Sequence, residues 1–279
     1  MDNDTARDPG TTMQKQLSPD QLARDDRFVR VSLEERFRDP RVGSGDERKL
    51  DRAADDVADR ARQQMHGIFV GEIQALEGAG RTCFDYESPG EVPLELKLDM
   101  ARQCWDEARH CEISVKLGDH MGSQIGEYAE STTLFEAACH EDAVFRLAGV
   151  NRALEGLAID VFTTMRDFAQ DMSDPTLEFC EDWMLADEVT HVKMGSTWLR
   201  AVTEGQPERR QAALEYQRTV DKLFNFRGRR GEDSDSAIRL ARQFREMAGF
   251  DTAEIDVIAS DAAADAARAS TAPVAASAH

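Results

Sequence analysis

The chain has 279 residues, 41% of them hydrophobic and 32% charged, and carries a formal net charge of -20 at pH 7. A chain of this length can bury a substantial core, and its many charges with few aromatic residues favour a mainly helical protein over a β-rich one. The negative charge repels phosphate backbones and disfavours nucleic acid as a partner. No apolar run is long enough to predict a transmembrane helix, and the N-terminus does not resemble a secretory signal.

The five cysteines predict a reduced protein of the cytoplasm. Their number is odd and no two of them form a Cys-x-x-Cys pair, a pattern that indicates free thiols rather than a disulfide framework. The missing Cys-x-x-Cys pair also argues against the second iron centre of a rubrerythrin-like peroxide reductase. One short basic stretch, RGRR at 227–230, is best interpreted as an exposed loop.

Three regions follow one another along the chain. Residues 1–48 mix charges with Pro, Gly and Ser without a lasting period, which predicts a flexible arm. Residues 49–250 carry helical apolar periodicity and form the predicted helical domain. Residues 251–279 include an Ala-rich segment with almost no large apolar side chains, which predicts a mostly disordered tail.

Four long helices are predicted within the helical domain, at about 51–87, 94–117, 133–172 and 175–202. A Gly-rich segment, GDHMGSQIGEYAES, connects the second to the third. Ser173 or Asp174 can cap the fourth, with Pro175 in its first turn. Two shorter helices follow, in ERRQAALEYQRTVDKLF and SAIRLARQFREMAG. This outline predicts an all-α four-helix bundle with extra C-terminal helices.

A Glu-x-x-His motif occurs twice, on the second and fourth predicted helices. DEARH contains Glu107 and His110, and DEVTH contains Glu188 and His191. Residues three apart on a helix lie about 60° apart around the axis, so both side chains of each motif can reach one metal ion. A single such motif arises easily by chance, whereas two copies on alternate helices favour a metal site over scattered surface acids.

A related acidic motif occurs on the first and third helices. EIQALE begins at Glu72 and ends at Glu77, and EGLAID begins at Glu155 and ends at Asp160. Each motif precedes its Glu-x-x-His partner by a similar distance, so the chain reads as two similar helix pairs. One Glu from each of two helices and Glu-x-x-His from the other two match the ligand scheme of ferritin-like dinuclear carboxylate proteins.

The charges and atoms of this set indicate which metals it suits. Four carboxylates inside an apolar bundle are costly unless they are neutralised, and two divalent cations neutralise them. Carboxylate and imidazole ligands suit iron or manganese. Asp106 and Asp187 each precede a motif Glu, and we expect each to orient a His on the facing helix by accepting its other N–H. The alternative is that both are acidic surface positions.

Several stretches together resemble a ferritin-like family of largely undefined function, related to a bacterial tRNA hydroxylase that acts on a modified adenosine. They are GEIQALEGA, ARQCWDEARHCEISVKLG, RLAGVNRALEGLAID, LADEVTHVKMGSTWL and ARQFREMAGF, within roughly 60–250. The resemblance implies a ferritin-like fold and the metal ligands Glu72, Glu107, His110, Glu155, Glu188 and His191. Glu77 and Asp160 also match acidic family positions and are predicted to support the ligands. Glu77 is an alternative to Glu72 as the first-helix ligand.

The expected function is O2 activation by two iron ions, with manganese as an alternative metal. The substrate would be a small organic molecule, hydroxylated, desaturated or N-oxygenated with electrons from an external donor. Ferritin-type iron oxidation and storage is one alternative, and tRNA modification, disfavoured by the net charge of -20, is another. The sequence predicts no membrane partner, and a homodimer is compatible with it.

Overall fold

The computed structural model describes residues 57–128, 132–223 and 238–260, and these residues form helices and connections without a strand. The predicted all-helical class is therefore confirmed over the described chain. The predicted arm at 1–48, the RGRR stretch and residues 261–279 lie outside it. The α-helices are α1 Val57–Asp85, α2 Leu94–Met121, α3 Thr133–Ala138, α4 Ala143–Ala148, α5 Glu155–Met172, α6 Pro175–Val202, α7 Pro207–Asp221 and α8 Arg242–Met247, with a π-helix at Gly149–Leu154.

The four long helices pack as two hairpins. Helix α1 lies along α2 and α5 lies along α6, and these two contacts are the most extensive in the molecule. The hairpins meet where α2 packs on α6 and α1 packs on α5. A single main core fills the space between them, with buried residues from α1, α5 and α6 such as Ile68, Phe162 and Met184. The four helices therefore surround one common interior.

Local signals in the sequence explain where two of these helices begin and end. The side chain of Asp174 accepts hydrogen bonds from the backbone N–H groups of Thr176 and Leu177, so Asp174 is the cap of α6, with Pro175 in its first turn. Helix α2 continues past the predicted end near 117 and ends at Gly122, whose φ of 79° suits glycine. His120 consequently lies in the last turn of α2 and not in a Gly-rich connection.

The predicted continuous helix at 133–172 is wrong, because the chain is interrupted between Ala138 and Ala143. Asp142 restarts the helix by accepting a hydrogen bond from the N–H of Val144. The backbone of α3 folds against the start of the π-helix, where a Cβ on Gly149 would lie 2.3 Å from the carbonyl oxygen of Ala138. The spacing of apolar residues cannot predict such a close approach between two backbone segments, so the sequence gives no sign of the interruption.

The C-terminal part of the described chain belongs to the main core. Residues 252–260, which the sequence assigns to the tail, are helical. Ile255 and Ile258 are buried in the same cluster as the residues of the long helices. No helix in the described ranges is long and apolar enough to cross a membrane. All five cysteines are free thiols.

Candidate metal centre

The six predicted ligands converge in the interior between the two hairpins. Glu72 comes from α1, Glu107 and His110 from α2, Glu155 from the first turn of α5, and Glu188 and His191 from α6. Every one of them is buried, and the most exposed, Glu72, retains 4% of its surface. Their ligand atoms fall into two groups that could each hold one metal ion. We call these groups the His110 half-site and the His191 half-site.

The His110 half-site consists of Glu72, Glu107, His110 and Glu188. Its centre is Nδ1 of His110, which lies 3.1 Å from Oε2 of Glu72 and 3.1 Å from Oε2 of Glu107. The same nitrogen lies 3.1 Å from Oε1 of Glu188. Three carboxylates from three helices therefore surround one imidazole nitrogen.

The His191 half-site consists of Glu107, Glu155, Glu188 and His191. Nδ1 of His191 lies 3.0 Å from Oε1 of Glu107, 3.5 Å from Oε2 of Glu188 and 3.9 Å from Oε2 of Glu155. These distances are longer on average than those around His110, and the four ligand atoms all lie within 4.8 Å of one another. It repeats the composition of the first half-site.

Glu107 and Glu188 belong to both half-sites. Oε2 of Glu107 faces His110 while its Oε1 faces His191. Oε1 of Glu188 faces His110 while its Oε2 faces His191. Each of these two carboxylates could therefore give one oxygen to an ion in each half-site.

The buried polar atoms of the cluster fit two cations. Both carboxylate oxygens of Glu188 and Nδ1 of His191 are buried without a hydrogen-bond partner. Buried polar atoms normally have such a partner, and their lone pairs here converge on common points. The donor set contains only carboxylate oxygens and imidazole nitrogens, which suit iron or manganese. The cluster is therefore compatible with metal binding.

Without metal, the cluster is an unfavourable concentration of acids, and the histidines act as its counter-charges. Burial raises the pKa of Glu72 and of Glu155, and neighbouring carboxylates such as Glu107 raise it further. Burial opposes ionisation of Glu107, but His191 and His110 beside it hold its pKa below the usual range. Burial likewise opposes protonation of both histidines, yet the surrounding carboxylates raise the pKa of each. Divalent cations would replace these protons.

The two aspartates that precede the motif glutamates contact the histidines crosswise. Nε2 of His110 on α2 lies 3.3 Å from Oδ2 of Asp187 on α6. Nε2 of His191 on α6 lies 3.3 Å from Oδ2 of Asp106 on α2. Each aspartate thus reaches the histidine of the facing helix, as the sequence predicts. Such a contact directs Nδ1 of each ring towards the carboxylates.

Arg109 joins these two aspartates, a role that the sequence does not predict. Its Nη2 donates to Oδ1 of Asp106 and, at 3.3 Å, to Oδ2 of Asp187. Its guanidinium carbon lies 4.7 Å from the ring centre of Trp183, and that ring contacts His110 edge-on. The second motif copy has Thr190 at this position, whose hydroxyl donates to the carbonyl of Ala186. One arginine therefore serves both halves.

Gln103 and Asn151 are further site residues that sequence analysis missed. Nε2 of Gln103 donates to Oε1 of Glu155 at 2.6 Å and to Oε1 of Glu107 at 3.2 Å. Nδ2 of Asn151, in the π-helix, donates to Oε1 of Gln103 at 2.7 Å. A signal exists for Gln103, because it lies one turn before Glu107 on a helix face that is otherwise buried. No sequence signal points to Asn151, because its position depends on the π-helix, which the sequence does not reveal.

Glu77 and Asp160 lie outside the cluster. Oε1 of Glu77 accepts from Nε of Arg81 at 3.1 Å. Asp160 is buried, and its carboxylate accepts from Nη2 of Arg245 at 2.6 Å and from the N–H of Ala241 at 2.7 Å. Residues five apart on a helix are about 140° apart around the axis, so each of these acids faces away from the glutamate that begins its motif. Asp160 instead ties the C-terminal segment to α5.

Comparison with known proteins assigns the chain to a family. Residues 11–256 match a family described as "Protein of unknown function (DUF455)". No curated protein and no solved structure gives a significant match. Because the match spans nearly the whole described chain, including both half-sites, the chain belongs to the DUF455 family.

Proposed function

We propose that this protein is a dinuclear iron oxidoreductase with a ferritin-like bundle, in which manganese can replace one or both irons. It would activate O2 to hydroxylate, desaturate or N-oxygenate a small organic substrate, with electrons from an external donor. The observation that carries the proposal is the pair of half-sites that share Glu107 and Glu188. Two metal ions held by shared carboxylates would be close enough to act together on one oxygen ligand.

Each ligand has a role in this proposal that follows from its position. Glu107 and Glu188 could each give one oxygen to each metal, Glu72 and Glu155 would each complete one half-site, and each histidine would hold one metal. The four glutamates carry four negative charges, which two divalent cations balance. The metals supply the redox chemistry and the binding of O2.

The surrounding residues keep this geometry fixed. Asp187 and Asp106 accept the outer N–H groups of His110 and His191, so each ring keeps its orientation when a metal binds. Arg109 holds both aspartates and adds a positive charge outside the ligand shell. Gln103 donates to Oε1 of Glu155 and to Oε1 of Glu107 and thereby limits the rotation of both carboxylates.

Burial of the site suits chemistry that must exclude water. His110 and His191 are each 0% exposed. The ring of Phe162 packs edge-on against His110, and Trp183 does so from another side. An apolar shell of this kind protects a strong oxidant from water and from side reactions with polar groups.

Reconstitution with iron tests the proposal. Metal-free protein is loaded anaerobically with Fe(II), its iron is counted by mass spectrometry, and O2 uptake is followed with and without a chemical reductant. We expect two irons per chain, with a change in optical absorption on exposure to O2 and continued O2 uptake while reductant lasts. Iron content below one per chain would contradict the proposal.

The same sample distinguishes an oxygenase from a storage protein. Storage predicts a large closed shell on a sizing column and the accumulation of many oxidised irons per chain. The oxygenase proposal predicts a small assembly and iron that stays at two per chain after repeated exposure to O2 and reductant. Hundreds of irons per chain in a shell-sized particle would overturn it.

A further inference from the structure

Glu181 is a buried acid that the ligand set does not use. It lies on α6, seven residues before Glu188, and is 0% exposed. Neither of its carboxylate oxygens has a hydrogen-bond partner among the described residues. Seven residues are nearly two helical turns, so Glu181 is on the same face of α6 as Glu188, displaced about 10.5 Å along the axis. It therefore lies beyond the metal cluster, inside the same bundle.

The displacement places Glu181 on the His110 side of the centre. Helices α2 and α6 run antiparallel, since His110 meets Asp187 and His191 meets Asp106. Positions that precede Asp187 on α6 consequently face positions that follow His110 on α2. Burial raises the pKa of Glu181, and the nearby imidazole of His110 opposes that rise.

A second unpartnered polar group lies on the facing helix, and the antiparallel register places it within about one helical turn of Glu181 along the bundle axis. Ser114 is one turn after His110 on α2 and 1% exposed, and its hydroxyl has no hydrogen-bond partner among the described residues. Two such groups on opposing helices are unusual, because buried polar atoms are normally paired. Together they present three oxygen atoms that can accept hydrogen bonds.

The neighbouring side chains are apolar and adaptable. Met184 is one turn after Glu181, Met165 is one turn after Phe162 on α5, and Met65 is seven residues before Glu72 on α1. All three methionines are at most 1% exposed and belong to the main core. Methionine side chains are flexible and polarisable, so a core built from them can rearrange around an apolar ligand.

We propose that Glu181 and Ser114 form a recognition subsite for the amino group of the substrate, whose apolar part extends towards the His110 half-site. The ligand class is thus a small aliphatic or aromatic amine. An ammonium group has three donors and one positive charge, which match the carboxylate and the hydroxyl. The subsite deepens the proposed function and rests on it for the identification of the ligand as a substrate.

Binding of model amines to metal-loaded protein tests this subsite. Hexylamine, hexanol and hexanoate are titrated by calorimetry into protein loaded with two equivalents of redox-inert Zn(II), with butylamine and octylamine to probe length. We expect hexylamine to bind about tenfold or more tightly than hexanol, because the alcohol can donate a hydrogen bond but lacks the positive charge that pairs with the carboxylate of Glu181. Hexanoate should bind more weakly than both.

Three variants separate recognition from structure. Glu181→Gln should reduce the preference for hexylamine over hexanol to about onefold, and Ser114→Ala should reduce it a few-fold. Asp182→Asn, which removes an exposed carboxylate next to Glu181, should leave the preference unchanged. Because a general loss of packing would weaken both probes alike, the ratio of the two affinities reports recognition and not folding.

Other outcomes overturn the subsite without affecting the metal centre. Equal affinities for hexylamine and hexanol in the wild type, no binding of either, or an unchanged preference in Glu181→Gln would each contradict it. If the wild type bound a third Zn(II) when excess zinc was supplied, and Glu181→Gln lost it, Glu181 would be a metal ligand instead. The metal content of the wild type, counted in the same samples, tests the proposed function separately.

Discussion

The two half-sites use the same kinds of ligand but differ in what surrounds them. Around His191, the carboxylates of Glu155 and Glu107 accept hydrogen bonds from Gln103, which Asn151 holds in turn. Around His110, aromatic rings replace the amides, because Phe162 and Trp183 pack against the imidazole. One half-site therefore has a hydrogen-bonded support and the other has an apolar wall.

This difference in surroundings suggests that the two half-sites have different roles within one centre. On the proposed function, the amides beside His191 would limit the movement of the carboxylates that hold one metal. The apolar wall next to His110, with Glu181 beyond it, would be the side that receives a substrate. The two halves remain coupled, because Glu107 and Glu188 belong to both and Arg109 holds both outer aspartates.

The largest effect should come from removing a shared ligand. Glu107→Ala takes one oxygen from each half-site, so we expect iron content to fall from two per chain to less than one and O2 uptake to be lost. Glu72→Ala removes a ligand of the His110 half-site alone and should leave about one iron per chain. Mass spectrometry of the reconstituted variants measures both.

Glu77→Ala is the matched control for these variants, since Glu77 is an acid on the same helix as Glu72 that pairs with Arg81. It should retain two irons per chain. If Glu107→Ala kept full occupancy, or if Glu77→Ala lost a metal, the assignment of the ligands would be wrong.

Replacing either outer aspartate, Asp106 or Asp187, by asparagine should have the next largest effect on metal binding. Asp187→Asn weakens the hydrogen bond that the side chain of residue 187 accepts from Nε2 of His110, and Asp106→Asn weakens the corresponding bond from His191. Each should lower the metal affinity of one half-site by about 10- to 100-fold, as changes to such partners typically do. Competition with a chelator at graded concentrations measures this loss, and two unaffected affinities would show that the contacts are incidental.

Gln103→Leu should cause a smaller loss of metal affinity that is confined mainly to one half-site. The change removes the donor to Glu155 and Glu107 while preserving volume, so it acts mainly on the His191 half-site. We expect about a tenfold loss of affinity for one metal, with the other retained. Equal loss at both metals would show that the amide supports the whole cluster rather than one half.

The pH dependence of stability should have opposite signs with and without metal. In the metal-free protein, the pKa values of His110, His191, Glu72 and Glu155 are raised above the ordinary values of 6.5 and 4.5. Such groups stabilise the fold below those values and lose this contribution as pH rises. The melting temperature of metal-free protein should therefore fall by several degrees between about pH 5 and pH 8.

Metal reverses this trend, because protons compete with it for the same ligands. Loaded protein should melt higher than metal-free protein at pH 8, and the difference should shrink towards pH 5. Thermal melts with and without a chelator, across this pH range, measure both curves. Parallel curves for the two forms would contradict metal binding by these residues.

The candidate ligands and the two outer aspartates could be predicted from the sequence, whereas Gln103 and Arg109 could not, for a physical reason. Metal ligands must be of a few residue types at helical spacing, so Glu107 with His110 and Glu188 with His191 stand out as a repeated pattern. Asp106 and Asp187 are adjacent to it. Gln103 and Arg109 act through contacts between helices, and these depend on packing that no local spacing encodes.

The errors in the sequence prediction have the same origin. Asp160 belongs to a motif that repeats EIQALE, yet its carboxylate faces Arg245 because five residues turn the helix by about 140°. The interruption after Ala138 follows from the approach of two backbone segments at Gly149. Both features are set by parts of the chain that are distant in sequence.

Anomalous diffraction at the iron absorption edge, on crystals of Fe(II)-loaded protein, tests the central claim most directly. The account predicts two iron peaks about 3.5–4 Å apart, one beside Nδ1 of His110 and one beside Nδ1 of His191, with Glu107 and Glu188 between them. A single peak, or iron bound elsewhere while these six residues remain without metal, would contradict it.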